Sequence, residues 1–110
     1  MTEKIQTYAE FWPHYLREHS HPTCRLMHYF GTSAAVSVLV LAAVSGKPAL
    51  LLAALLCGYG PAWVGHFFIE KNRPATFTYP FWSFFSDFRM TFRFVTGRIE
   101  QDLRSAGVAV

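Results

Sequence analysis

Two long apolar stretches dominate the chain. Residues 26–46 and 48–69 are nearly unbroken runs of small and large apolar side chains, separated by Gly46-Lys47-Pro48. A run of about 20 apolar residues spans a bilayer as an α-helix, and a Gly-x-Pro sequence marks a turn. The pattern predicts a helical hairpin, with one helix over about 22–45 and the other over about 48–71. Small residues would let the two backbones close on each other in lipid. Gly31 and Ala35 supply them on the first helix, and Ala54, Gly58 and Ala62 form a stripe on the second. Pro61 is expected to bend the second helix and free the Cys57 carbonyl.

The flanks carry helical periodicity with a polar side. Tyr8 to His19 reads as an amphipathic helix, with Thr7 and Glu10 suited to a capping box. Pro13 places the start of its regular part near Trp12. Downstream, Trp82, Phe85, Phe88, Phe92 and Val95 recur at helical spacing, with Ser83, Asp87, Arg89 and Arg93 elsewhere. That pattern predicts an aromatic-rich helix lying in the membrane interface, with anchoring as its main role. Gly97 can cap it, and a short polar helix with Glu100 and Arg104 at i,i+4 follows. The expected fold is all-α: one integral membrane domain over 1–110. It divides into an N-terminal amphipathic segment (1–21), a transmembrane helical hairpin (22–71) and C-terminal interfacial helices (72–110).

Composition agrees. Apolar residues make up 52% of the 110 and charged residues 15%, where soluble domains are about a quarter charged. The net charge of +3 is unevenly spread, because Lys47 is the only formal charge between Leu26 and Ile69. Arg17, Arg25, Lys71, Arg73, Arg89, Arg93, Arg98 and Arg104 all lie outside that block. Basic residues at the ends place both termini in the cytoplasm and suit anionic lipid headgroups better than nucleic acid, which is set aside as a partner. Arg25, Lys71 and Arg73 read as a solvated, headgroup-binding rim. Met1-Thr2-Glu3-Lys4 has mixed charge, unlike a secretory signal. A hairpin separates Cys24 from Cys57 by about 20 Å along its axis, too far for a disulfide.

Five histidines carry the candidate chemistry: His14, His19, His21, His28 and His66. His28 lies 19 residues before Lys47 and His66 19 after it. A hairpin therefore brings both to one depth, about 28 Å from the turn, at the interface that holds the termini. Glu70 is at i,i+4 from His66 and projects from the same side. Pro22 disfavours a continuous helix through His21, so the chain can turn there and bring His19 over the pair. His14 and His21 read as polar edge residues, which need no special partner. His28, His66 and Glu70 together read as functional, since ionisable groups near a membrane core seldom converge without purpose. Imidazoles beside a carboxylate suit a divalent metal such as iron or zinc.

Two segments resemble a known family. One is Tyr15-Leu16-Arg17-Glu18-His19-Ser20-His21-Pro22, continuing through Arg25 to His28 and Gly31. The other is Gly65-His66-Phe67-Phe68-Ile69-Glu70-Lys71-Asn72-Arg73-Pro74-Ala75. Over roughly residues 11–98 the chain is similar to the membrane 2-hydroxy fatty acid dioxygenases of phytosphingosine degradation. The resemblance implies a ferrous iron enzyme that uses dioxygen to shorten a 2-hydroxy fatty acid by one carbon. It implies His19, His28 and His66 as metal ligands; Glu70, Arg73 and Pro74 match the end of the second motif. His21 stands where the family tends to have asparagine and takes no ligand role. Fungal members carry extra membrane-spanning sequence between the motifs, where this chain has one tight turn, so the lipid cavity must differ.

The resulting expectation is an Fe(2+)-dependent oxygenase in which Glu70 is a fourth ligand or fixes an imidazole tautomer, and Lys71 or Arg73 meets the substrate carboxylate. The acyl tail lies along the hairpin. Two helices alone enclose little space, so a homo-oligomer is a candidate assembly. Two alternatives stand beside this one: a haem-binding membrane electron carrier with two axial histidines, and a non-catalytic lipid- or partner-binding membrane protein.

Overall fold

The computed structural model describes residues 4–109. Among them there is no strand. Helix α1 (Tyr8–Arg17) leads into α2 (Pro22–Ser45), a turn at Gly46, and α3 (Ala49–Val64), which continues as a wider π-helical turn over Gly65–Glu70. A 3-10 turn (Ala75–Phe77), α4 (Pro80–Val95) and α5 (Ile99–Ser105) complete the chain.

Local chemistry sets most of these boundaries. The Thr7 hydroxyl accepts the Glu10 N–H at 3.3 Å and caps α1. The helix therefore begins at Tyr8, a full turn before the start that Pro13 suggested. Pro13 removes only the bond that would run to Ala9, and the cap holds the turn ahead of it. Pro22 opens α2, and His21 before it is extended (φ −83°, ψ 124°), as a pre-proline residue must be. Gly46 closes α2 in the left-handed region (φ 69°), where a side chain would be strained. Gly97 does the same after α4 (φ 75°).

Helices α2 and α3 pack side by side in opposite directions, and α2 and the combined span of α3 with its π turn (Ala49–Glu70) are each long and apolar enough to cross a membrane. Their closest approach is backbone against backbone. A Cβ at Gly31 would stand 2.8 Å from the Cys57 carbonyl oxygen and 3.1 Å from that of Gly58. Pro61 has no N–H to offer Cys57, so the freed carbonyl is the one Gly31 covers. Nearer the chain ends, a Cβ at Gly65 would stand 2.9 Å from Cys24 Sγ. The hairpin has little core of its own: Val40, Val44, Leu52 and Leu56 are all more than half exposed, as in a helix pair surrounded by lipid.

The packed core lies at the other end, opposite the Gly46 turn. Phe11, Trp12, Tyr15 and Leu16 of α1 meet Met90 of α4 and Ile99, Leu103 and Ala106 of the C-terminal region. Arg93 and Asp102 tie α4 to α5 through two bonds of 2.7 and 3.0 Å. The Arg89 guanidinium sits 4.1 Å over the Trp12 ring, linking α4 to α1.

Helix α4 turns outward the aromatic face that an anchoring helix needs. Its buried residues are Ser83, Ser86 and Met90, while Phe81, Phe84, Phe85, Phe92 and Val95 face outward. The polar stripe is the inner one: the Tyr8 and Ser86 hydroxyls bond at 2.8 Å, and the Tyr15 hydroxyl donates to Asp87.

The contact at Gly31 yields a test. Gly31→Ala should force the helices apart and lower stability by about 1–3 kcal/mol, the usual cost of overpacking. Gly60→Ala, where nothing lies within 4 Å, should be neutral or mildly stabilising, since alanine favours helix. Thermal unfolding of both variants in detergent micelles checks the contrast.

Candidate metal centre

Three imidazoles from three segments meet in the interior. His19 follows the end of α1, His28 lies in the first third of α2, and His66 sits in the π turn. All three are buried, with exposures of 1%, 2% and 2%. His19 Nε2 is 3.0 Å from His28 Nε2 and 3.0 Å from His66 Nε2. The ligand atoms of the three all lie within 4.8 Å of one another.

The other nitrogen of each ring is already committed. His19 Nδ1–H donates to the Tyr15 carbonyl at 2.6 Å and His28 Nδ1–H to the Cys24 carbonyl at 2.8 Å. His66 Nδ1–H donates to Asn72 Oδ1 at 2.7 Å. The Asn72 orientation follows from its amide nitrogen, which donates to the Glu18 carbonyl and carboxylate at 3.1 and 3.0 Å. Each acceptor fixes its ring as the Nδ1–H tautomer, so each Nε2 presents a lone pair. Burial, with repulsion from His28 and His66, pushes the His19 pKa well below the ordinary imidazole value, so this ring is neutral at neutral pH. The His19 lone pair, 3.0 Å from each of the other two, is repelled by them unless a cation lies between.

The spacing suits one ion. Nitrogens about 2.1 Å from a shared metal stand about 3.0 Å apart at adjacent octahedral corners, and about 3.4 Å apart in a tetrahedron. A chamber of about 10 Å³ adjoins the rings, lined in part by Tyr59, Thr76, Ser83 and Asp87. That is room for about one water-sized ligand.

Glu70 is not part of this cluster. Its carboxylate accepts the His21 N–H at 2.6 Å and the Ser20 hydroxyl at 3.2 Å. In the wider π turn it reaches across to the α1–α2 connection instead of lying under His66, so the tautomer-fixing role falls to Asn72. Lys71 and Arg73 are exposed, Arg73 lies 5.1 Å over the Phe77 ring, and neither lines the chamber. His14 pairs with Glu18 at 3.7 Å near the surface, and the exposed His21 caps α2 by accepting the Thr23 N–H.

Arg25 corrects the reading of a solvated rim. It is 8% exposed and donates to the His19 and Ser20 carbonyls at 2.8 and 3.0 Å. It therefore clamps the turn that carries His19. Asn72, Arg25 and Asp87 are the residues that sequence reasoning missed. Asn72 stands inside the second motif, six residues after His66, a spacing that a regular α-helix would not bring to the ring.

A family model described as 2-hydroxy-palmitic acid dioxygenase Mpo1-like matches residues 5–99. The chain belongs to the Mpo1-like family. No curated protein and no solved structure matches it. The stretch that matches the Mpo1-like family takes in all three histidines, Arg25, Asn72 and Asp87, and its name is that of a dioxygenase.

Two tests follow. Asn72→Ala removes the acceptor that orients His66 and should weaken metal affinity about 10- to 100-fold, while His14→Ala leaves it unchanged; metal titration of both variants decides. Burial raises the Asp87 carboxyl to about 7, with the Tyr15 hydrogen bond partly opposing it. The folded chain therefore holds this proton more tightly than the unfolded chain, whose carboxyl titrates near its ordinary value of about 4. The contribution of Asp87 to stability should be greatest below about pH 4, fall as pH rises to about 7, and level off above. Asp87→Asn should flatten that part of the profile, read by thermal unfolding between about pH 4 and pH 8.

Proposed function

We propose that this protein is an iron(II)-dependent dioxygenase that removes one carbon from a 2-hydroxy fatty acid at the cytosolic face of a membrane. The observation that carries the reading is the set of three Nε2 lone pairs aimed at one point, each enforced by its own Nδ1 acceptor. Three nitrogens gathered on one side leave further positions on an ion, which suits ferrous iron activating oxygen better than closed structural zinc. The family description supplies the substrate class.

His19, His28 and His66 would hold the iron, which supplies the one-electron chemistry that dioxygen needs to react with an organic ligand. The overall reaction converts a 2-hydroxy acid and dioxygen to the acid one carbon shorter, carbon dioxide and water. The four electrons leaving the carbons reduce one dioxygen. The chain's own groups do the rest. Thr76, Ser83 and Tyr59 line the chamber and offer hydroxyls to a polar headgroup. Apolar walls keep bulk water from the reacting carbons. Lys71 and Arg73, at the rim, draw the acid to this end of the molecule by their charge.

The setting is a bilayer. The two apolar helices cross it, both termini face the cytoplasm by the distribution of basic residues, and the outward phenylalanines of α4 sit in the interface. Membrane lipid surrounds the hairpin, and a second copy can cover it. The haem reading fits less well, because a chamber of about 10 Å³ has no space for a macrocycle.

Elemental analysis of anaerobically purified protein should find one iron per chain, and oxygen uptake should respond to 2-hydroxyhexadecanoic acid but not to hexadecanoic acid. His66→Ala should lose at least nine-tenths of the iron and all turnover. Full iron content and full turnover in that variant would overturn the assignment.

A further inference from the structure

An apolar groove of about 250 Å³ runs between α2, α3 and α4. Ala35, Ala54 and Gly58 give it depth, because they are small. Phe84 and Phe88 of α4, whose rings pack edge to face at 5.1 Å, wall its third side. Its lining extends along α3 from Tyr59 to Leu51 and along α2 from Thr32 to Leu39. Those spans are about 12 and 10 Å at the helical rise. An extended chain of methylenes advances about 1.3 Å per carbon at ordinary bond lengths, so the groove takes about nine of them.

The groove abuts the histidine chamber. Tyr59 and Asp87 line both spaces. Helix α4 changes character at that junction: Ser83 and Asp87 line the chamber, one turn apart, while Phe84 and Phe88 line the groove, also one turn apart. A single wall thus offers polar atoms beside the imidazoles and ring carbons beyond them. The chamber as it stands holds about one water-sized group, so only the smallest headgroups can approach the rings and a phosphate-bearing or sugar-bearing one does not.

We infer that this groove is the acyl-chain site of the enzyme and that its length sets which acids are held. The occupant is the single tail of a free acid whose small polar end lies past Tyr59 and Asp87. The tail runs from that neck toward the Gly46 turn, between the helices rather than over their outer surface. Leu55 marks its middle and Leu51 its far end. This inference rests on the dioxygenase reading for its substrate, but the groove binds the tail whether or not turnover follows.

The test uses the full chain in lipid nanodiscs under anaerobic conditions, where no oxygen is consumed. Binding of radiolabelled 2-hydroxyhexanoic, 2-hydroxydecanoic and 2-hydroxyhexadecanoic acids is measured for the unsubstituted protein and three variants. Leu51, Leu52 and Leu55 are each at least half exposed, so a larger side chain at any of them does not disturb the packed core. Leu55→Trp should leave the six-carbon acid unchanged and weaken the ten- and sixteen-carbon acids at least tenfold. Leu51→Trp should weaken only the sixteen-carbon acid. Leu52→Trp, which does not line the groove, should change none of them. Equal binding of all acids in every variant, or equal losses in all three variants, would overturn the inference and assign the tail to bulk lipid or the groove to a second copy of the chain. Failure of the unsubstituted protein to bind any of the acids would overturn it too. Oxygen uptake separates the two readings. The graded binding pattern without any uptake leaves the groove and removes the dioxygenase; uptake with one chain-length profile in all variants does the reverse.

Discussion

Backbone contact between the two long helices is the constraint on which everything else depends. Gly31 lies on the carbonyls of Cys57 and Gly58, and Gly65 lies on Cys24. With side chains at these positions the helices would stand further apart, and His28 and His66 would separate with them. The binding energy is local and unspecialised, being dispersion between small residues and bare peptide groups in lipid. Its result is nonetheless specific, because imidazoles 38 residues apart in sequence are held close enough to share one ion. Pro61 contributes by leaving a carbonyl without an N–H partner at the point where Gly31 covers it.

A second layer of order comes from the short helices packed at the chain ends. Burial of α1 against α4 and α5 places Tyr15 in the core, where it does three things. Its carbonyl receives the His19 Nδ1–H, its ring lies against the His19 ring at 4.1 Å, and its hydroxyl donates to Asp87. Arg25 and Glu70 hold the connection that follows, one from each long helix, through the His19, Ser20 and His21 backbone. Two of the three ring acceptors are peptide carbonyls, those of Tyr15 and Cys24, and the third is the Asn72 side chain.

Much of this was legible in the chain. The two apolar runs, the turn between them and the register of His28 with His66 follow from length and helical rise alone, and Pro22 announced the break that lets His19 return. What stayed hidden depended on departures from regular helix and on the solvent. The π turn sends Glu70 away from His66 and hands its partner role to Asn72, and no periodicity in Gly65–Glu70 signals the wider winding. Arg25 looked like one more surface cation because burial of a charge is invisible until its acceptors are known. On α4 the outward aromatic stripe was legible, but the pairing of its inner polar stripe with Tyr8 and Tyr15 of α1 was not.

The three imidazoles arrive from three separate pieces of chain: the end of α1, the body of α2 and the π turn beyond α3. An ion bound by all three is therefore a cross-link, sewing the N-terminal arm to both long helices at once. Ligands that bind only the folded state stabilise it by mass action. Without an ion the stitch would be missing, and lone pairs would face each other in its place. The arm carrying His19, held by the fewest residues, would then be the first to lift, so an ion at this point would fasten the end of the fold farthest from the hairpin turn.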